Sequence, residues 1–168
     1  DKANCYNIYD NFFVQSVEDP FKKKYDLVIS KFLMEHVKDN KKTFRNIFNA
    51  LNKDGHLCIL FPLKNHFYSI ILRVVGNRLQ KLLIKYLRPH AQSTTGYPAY
   101  FNLCSKHELL SELYNLGYSK ISFKIYYKAT DYFSFFAPLY TLVSIFENFF
   151  EICKFNKCAA YIIVHAKK

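Results

Sequence analysis

The sequence predicts an α/β fold built on a doubly wound parallel sheet. Residues 25–30 are a short apolar run, residues 42–52 carry apolar side chains at helical spacing, and residues 57–61 are a second apolar run. A strand, a helix and a strand at this spacing form a right-handed parallel crossover, the unit of doubly wound sheets. Helical and strand patterns then alternate to the C-terminus without a Gly/Ser linker, which indicates one domain.

Length and composition agree with a folded domain of this kind. The chain has 168 residues, about one domain, and 51% hydrophobic against 22% charged residues excludes an intrinsically disordered chain. The net charge of +11 favours anionic partners: phosphate-bearing substrates, nucleic acid or an anionic membrane surface. Charge alone does not choose among these three classes.

The chain opens at Asp1 and contains one methionine, Met34, so we expect a piece of a longer protein. The most apolar region, residues 132–155, is interrupted by charged and polar side chains, and we expect no membrane-spanning helix. Five cysteines form an odd set without a Cys-x-x-Cys motif. We therefore expect reduced thiols and a cytoplasmic protein. Peripheral contact with a membrane is a further possibility that the sequence leaves open.

Four elements are predicted in the first half of the chain. Residues 12–17 and 25–30 are strand candidates separated by a turn at Pro20, and the second has the pattern of a buried strand. The helix at 42–52 is expected to stop at Lys53-Asp54-Gly55, since glycine favours helix ends. The strand at 57–61 then ends at Pro62.

Four further elements follow in the second half. Leucines at helical spacing predict a helix over 106–116 that stops at Gly117, followed by a strand over 121–127. Residues 139–152 predict a helix whose wide apolar face suits packing against the sheet. The last predicted strand covers residues 159–166.

The stretch between these halves carries the most basic segment of the chain. Residues 66–87 have a helical pattern with Arg73, Arg78, Lys81 and Lys85 gathered on one side, and no acid occurs between Asp54 and Glu108. A solvated helix face is one interpretation. The other is contact with an anionic acceptor or with membrane headgroups, because the same helix also has an apolar side.

Several of these segments together resemble a known family. Residues 25–30 read YDLVIS, residues 32–37 read FLMEHV, the helix up to Leu51 is followed by KDGHL, and the next strand ends in Phe61-Pro62. This order resembles the middle of class I S-adenosylmethionine-dependent methyltransferases of the small-molecule type, with FDLV, LEHV, a helix ending in LKPGG and a strand ending in proline. Weaker similarity continues through residues 97–102 to the C-terminal strand.

The resemblance implies a more detailed fold. We expect one partial methyltransferase domain over 1–168, a mostly parallel sheet with an antiparallel last strand, and a helical lid or insertion over about 63–105. The family's Gly-rich cofactor loop is absent, because the four glycines of this chain lie far apart. The chain therefore resembles the C-terminal two-thirds of such an enzyme.

The resemblance also implies S-adenosylmethionine as cofactor and a set of residues around it. Asp1 matches the acid that holds the ribose hydroxyls, or is a solvated residue just beyond it. Ser16, with Val17 beside it, matches the position that meets the adenine, or is a plain strand-end serine. After the next strand, Ser30, Lys31 and Phe32 lie where open α/β sheets bind ligands, and their backbone is expected to line the cofactor site.

His36 is the side chain we expect to carry chemistry. Its ordinary pKa suits a base for a hydroxyl or protonated amine acceptor, while the alternative is that Glu35 and His36 order the loop by hydrogen bonding. The resemblance also implies that Tyr97, Tyr100 and Asn102, with the basic helix, form the lid over the acceptor; the alternative is that these aromatic side chains pack under a long insertion. No histidine or cysteine cluster has metal spacing, and no metal is implied.

Two functions are compatible with these features. The first is a methyltransferase acting on a small-molecule or lipid-linked acceptor. The second is a non-catalytic, methyltransferase-like module that binds an anionic membrane surface or a protein partner through the basic helix. Nucleic acid is not expected as a partner, because the sequence has no RNA-binding module and no Asn/Asp-Pro-Pro-Tyr motif.

Overall fold

Four strands and four α-helices make up the protein in the computed structural model, which describes residues 9–11, 13–87, 97–129 and 133–168. The strands are β1 (Tyr25–Lys31), β2 (Leu51–Pro62), β3 (Ser119–Tyr126) and β4 (Tyr161–Lys167). The helices are α1 (Asn40–Ala50), α2 (Phe67–Leu87), α3 (Lys106–Leu116) and α4 (Ala137–Ile152). Short 3-10 helices lie at Met34–His36 and Asn156–Cys158.

The strands form one sheet in the order β1-β2-β4-β3. β1 pairs with β2 in parallel, and β4 is antiparallel to both β2 and β3. β1, β2 and β3 therefore run in one direction and β4 runs against them. The predicted fold class, a mostly parallel sheet with an antiparallel last strand, is confirmed. The carboxyl ends of β1, β2 and β3 lie at one edge, which we call the carboxyl edge.

The core lies on one face of the sheet. Side chains alternate along each strand, so Leu57, Ile59 and Phe61 of β2 point to the same side as their partners on β4 and are fully buried. α1 and α3 contribute the other half of this core. Its largest helical members are Phe44, Ile47, Leu109 and Leu113. On the opposite face Leu27 and Ile29 of β1 are exposed.

The helices on this core begin and end at recognisable capping residues. The Asp39 side chain accepts a hydrogen bond from the Lys42 amide at 3.0 Å at the start of α1, and Ser105 has the same role for α3. Gly117 ends α3 with a φ of 94°, a conformation that glycine adopts without strain.

α1 ends earlier than the sequence predicted. The helix stops at Ala50, because Leu51 already pairs with Tyr25 as the first residue of β2. The predicted stop at 53–55 lies inside this longer strand, at an irregularity in its register where Asp54 has a φ of 64°.

The predicted strand over 12–17 is wrong for its described part. Residues 13–17 pair with no described strand, and Val14 is 91% exposed; Phe12 lies outside the described residues. The chain turns at residues 16–19 instead, where Glu18 accepts hydrogen bonds from the Lys38 and Asp39 amides. An extended segment without hydrogen-bonding neighbours has no sheet to join.

α4 buries only one edge of the apolar face that was predicted to pack against the sheet, where Val143 is buried and Phe150 packs against the core. Its apolar side was expected on the sheet, but only Val143 and Glu147 are buried. The reason is a polar contact: Glu147 lies 3.5 Å from His66 and accepts a hydrogen bond from the Ala129 amide at 2.8 Å. A carboxylate with these buried partners turns inward, and the apolar stripe faces outward.

α2 occupies the predicted helical stretch with one break. Gly76 has φ 70° and ψ 163°, so two helical halves meet there at a kink. Whether residues 63–105 are an insertion relative to the family stays a prediction. Across the described residues, none of the helices has the length and apolar composition needed to cross a membrane.

Candidate functional site

His36 lies at the carboxyl edge, in the 3-10 helix that follows β1. Its Nδ1 atom is 2.7 Å from the carbonyl oxygen of Pro98. A carbonyl only accepts hydrogen bonds, so Nδ1 of the neutral ring carries the hydrogen and donates it. Nε2 then has a free lone pair, and about a third of the side chain is exposed. This tautomer suits a base that faces a ligand.

Glu35, next to His36, is buried at 5% exposure. Its Oε1 atom lies 3.9 Å from His36 Nε2, and its Oε2 has no hydrogen-bond partner among the described residues. Burial raises the pKa of this carboxyl, partly offset by a backbone hydrogen bond and by His36. The pair therefore combines an accessible imidazole nitrogen with a buried carboxyl, and a protonated imidazole would favour the ionised form of that carboxyl.

The predicted acceptor residues are brought to the Glu35-His36 pair. The Glu35 carbonyl accepts hydrogen bonds from the Tyr100 amide at 2.7 Å and from the Phe101 amide at 3.1 Å. The Tyr97 and His36 rings meet edge to face with centroids 6.0 Å apart. Tyr97 and Tyr100 are both exposed beside His36. Geometry thus groups them with His36, while their role stays a prediction.

Asn40 holds this arrangement together, although sequence reasoning missed it. Its buried Nδ2 donates to the Met34 carbonyl at 2.8 Å and to the Asn102 carbonyl at 2.5 Å. The Asn102 side chain donates in turn to the Lys38 carbonyl at 2.5 Å. The only sequence signal at Asn40 is its place directly after the N-cap Asp39.

Ser30, Lys31 and Phe32 lie at the end of β1, as predicted. The Phe32 amide donates to the Leu60 carbonyl at 2.8 Å, and Phe32 has a φ of 52°, so the chain turns sharply there. The Ser30 hydroxyl is buried and has no partner within the described part of the chain. A buried hydroxyl without a partner at this edge suits a ligand that brings a polar group.

A cavity of about 520 Å³ opens beside Phe32 at the same edge. Phe32 and Tyr161 meet edge to face at 5.6 Å within its lining. Lys128 and Glu151, which pair at 3.7 Å, lie at the cavity next to the C-terminal end of α4. The space is large enough for a small-molecule ligand.

The other predicted cofactor residues lie elsewhere. Asp1 falls outside the described residues. Ser16 and Val17 were placed at a strand end, and that premise is wrong: the Ser16 hydroxyl accepts a hydrogen bond from the Glu18 amide at 3.2 Å within a turn. Their role at the cofactor stays a prediction.

Comparison with known proteins identifies the fold. A family model described as a methyltransferase domain matches residues 3–122, more than half of the chain. One curated protein, the polyketide synthase ThaQ of Burkholderia thailandensis, is 42% identical over 45 residues, 27% of this chain and 2% of that protein.

Solved structures agree with this match. A methyltransferase from Archaeoglobus fulgidus described as SAM-dependent has a TM-score of 0.53 at 12% identity, over 98% of this chain and 70% of that one. A possible histamine N-methyltransferase from Thermotoga maritima has a TM-score of 0.51 at 12% identity, over 92% and 61%.

Phosphoethanolamine N-methyltransferase 2 from Haemonchus contortus, in complex with phosphomonomethylethanolamine and S-adenosylhomocysteine, has a TM-score of 0.52 at 14% identity. That comparison covers 92% of this chain and 36% of that one, so the chain spans well under two thirds of this relative. Together with the family match, the shared fold confirms the predicted resemblance: the chain belongs to the methyltransferase domain family.

Proposed function

We propose that the chain transfers a methyl group from S-adenosylmethionine to an oxygen or nitrogen of a small-molecule or lipid-linked acceptor. The observation that carries this proposal is the hydrogen bond from His36 to the Pro98 carbonyl, which leaves Nε2 as a base at the carboxyl edge. Open α/β sheets bind their ligands at this edge.

The end of β1 suits the cofactor. S-adenosylmethionine supplies a methyl group bound to a positively charged sulfur. The backbone of Ser30, Lys31 and Phe32 would hold it, and the buried Ser30 hydroxyl offers an unused hydrogen-bonding group to its polar parts. The protein then contributes orientation, since the two reacting groups must lie in line.

His36 handles the proton of the acceptor. With S-adenosylmethionine bound, the acceptor's lone pair would form the new bond to the methyl carbon while the carbon–sulfur bond breaks and leaves its electrons on sulfur. The acceptor's proton passes to His36 Nε2, and the Glu35 carboxyl 3.9 Å away stabilises the charged imidazole. Tyr97, Tyr100 and Asn102 would place the acceptor, because their segment is fixed to Glu35 and Asn40.

A non-catalytic module is the second candidate function. The observation in its favour is the row of exposed cations on α2, which suits an anionic membrane surface or an acidic protein partner. We also propose a cytoplasmic location with peripheral membrane contact, which is compatible with both candidate functions.

Calorimetry and a transfer assay separate the two candidates. The chain is titrated with S-adenosylmethionine, and labelled methyl transfer is measured on hydroxyl and amine acceptors of both soluble and amphiphilic type. We expect weak cofactor binding, because the family's Gly-rich loop is absent from these 168 residues, and transfer that falls in His36→Ala but not in His107→Ala, an exposed histidine on α3. Absence of cofactor binding by the wild-type chain would favour the non-catalytic module.

A further inference from the structure

The outward side of α4 is a continuous apolar stripe. Its residues recur at spacings of three and four, so they lie along one helix face. They are Leu142, Ile145, Phe146, Phe149 and Ile152, each at least 50% exposed. α4 has no lysine or arginine, and its two acids turn away from the stripe: Glu147 is buried beside His66, and Glu151 pairs with Lys128. Exposed apolar patches of this kind mark binding surfaces.

α2 adds a second apolar surface that is flanked by positive charge. Six of its apolar residues are well exposed: Ile70, Ile71, Val74, Leu79, Leu82 and Tyr86. Its four cations are exposed too: Arg73, Arg78, Lys81 and Lys85. After the kink at Gly76, exposed apolar residues and cations recur next to each other at helical spacing, the pattern of helices that lie in a membrane interface.

Both helices leave the sheet at the carboxyl edge. α2 starts shortly after β2 ends, and α4 joins the end of β3 to the start of β4. The buried contact between His66 and Glu147 connects the beginning of α2 to the middle of α4, and the Phe67 and Phe133 rings pack at 5.3 Å beside it. α2 and α4 therefore both lie next to the edge that carries His36.

We propose that the exposed apolar faces of α2 and α4, with the cations of α2, dock the protein on an anionic phospholipid bilayer. The methyl acceptor is then an amphiphile held in that bilayer. This assignment of the acceptor rests on the proposed methyl transfer, whereas the docking itself does not. Apolar side chains enter the headgroup region while lysine and arginine meet anionic lipids.

The positive charge of α2 favours an anionic bilayer over a second copy of the chain as the binding partner. A two-fold contact of this surface with itself would bring the cations of α2 and the same cations of the partner into one interface. The sequence has no acid between Asp54 and Glu108. An anionic lipid surface complements the same charges along the whole helix.

Vesicle flotation tests the docking directly. The 168-residue chain is mixed with vesicles of phosphatidylcholine alone or with about 30% phosphatidylglycerol, and the bound fraction is measured at low and high salt. We expect binding to the anionic vesicles that weakens with salt. The double variant Arg78→Gln/Lys81→Gln should weaken it roughly 25-fold, about fivefold for each cation removed.

Matched variants control for fold and for charge. Lys41→Gln/Lys42→Gln removes two exposed cations from α1 and should leave binding unchanged. In the apolar stripe, Phe149→Ser should weaken binding by roughly tenfold or more, while Tyr114→Ser on α3 removes a similarly exposed ring without effect. Circular dichroism checks that each variant folds.

Three results would overturn the docking proposal. These are absence of binding to anionic vesicles, equal loss in the α1 and α2 charge variants, and a dimer in sedimentation that Phe149→Ser dissociates. Cofactor titration keeps the two proposals apart. Vesicle binding without S-adenosylmethionine binding retains docking and removes methyl transfer, and the reverse result removes docking alone. Transfer to water-soluble acceptors only, with none to vesicle amphiphiles, would overturn the assigned acceptor class.

Discussion

His36 donates a hydrogen bond from Nδ1 to the carbonyl of Pro98, although the two residues are 62 positions apart in the chain. This contact fixes the tautomer of the imidazole and also brings Tyr97 beside it. A histidine without such a partner exchanges its hydrogen between both nitrogens and can turn about its side-chain bonds. The Pro98 carbonyl therefore prepares Nε2 to accept a proton.

His36→Ala tests the proposed base. We expect the rate of methyl transfer to fall by about 10²–10⁴-fold, the usual contribution of a positioned base, with little change in S-adenosylmethionine affinity. Single-turnover kinetics and calorimetry give the two quantities. A rate within twofold of the wild type would limit His36 to ordering the loop.

Glu35→Gln tests how much the buried carboxyl of Glu35 lowers the stability of the folded chain. Burial raises the pKa of Glu35 in the folded chain, so the folded state binds more protons than the unfolded state above the ordinary value of 4.5. Its contribution to stability therefore falls as pH rises through the folded pKa. At pH 7 we expect the free energy of unfolding of the variant to exceed that of the wild type by about 1 kcal/mol, the usual penalty for one buried polar group without a partner. Near pH 3.5 we expect the two proteins to be equally stable.

Urea unfolding at both pH values measures this difference, with Glu112→Gln on α3 as control. Since the carboxyl also faces His36, the same variant should transfer methyl groups more slowly, an exchange of stability for function. A loss of stability at pH 7 would contradict the prediction.

Asn40→Ala tests the connection between α1 and residues 97–102. Removing the amide leaves the carbonyls of Met34 and Asn102 without this donor, and we expect a loss of about 1–3 kcal/mol in the free energy of unfolding. Denaturant unfolding measures it against Asn49→Ala, whose side chain is exposed on the same helix. Equal losses of stability in the two variants would mean that the buried hydrogen bonds of Asn40 do not contribute measurably to the free energy of unfolding.

Glu147→Ala tests the buried contact between α4 and His66. The change removes the carboxylate beside His66 and the acceptor of the Ala129 amide, so we expect a loss of about 3–5 kcal/mol. Glu147→Gln keeps an acceptor oxygen and should lose less. Glu151→Ala breaks only the exposed pair with Lys128 and should cost about 0–1 kcal/mol. A Glu147→Ala variant as stable as Glu151→Ala would show that the buried contact is dispensable.

Local sequence patterns were enough to predict the strands and helices whose apolar residues are contiguous or regularly spaced. The apolar runs of β1 and β2 and the leucines of α3 predict these elements from local pattern alone. The pattern of a buried strand expected for β1 is not observed, because Leu27 and Ile29 are exposed. The predicted strand over 12–17 is wrong for its described residues 13–17, since a strand also needs a neighbour, and no local pattern supplies one. The family resemblance depends on the order of motifs along the chain, so the sequence alone is enough to identify it.

Only the tertiary structure shows which polar groups meet when they lie far apart in the sequence. The approach of residues 97–102 to His36 joins distant segments, so no spacing in the sequence encodes it. Asn40 and Glu147 resemble solvated helix residues until their buried partners are seen. The same holds for α4: its amphipathic pattern was correct, but the contacts of Glu147 set which face is buried. Sequence periodicity defines two faces of a helix, and only the positions of hydrogen-bonding partners in space choose between them.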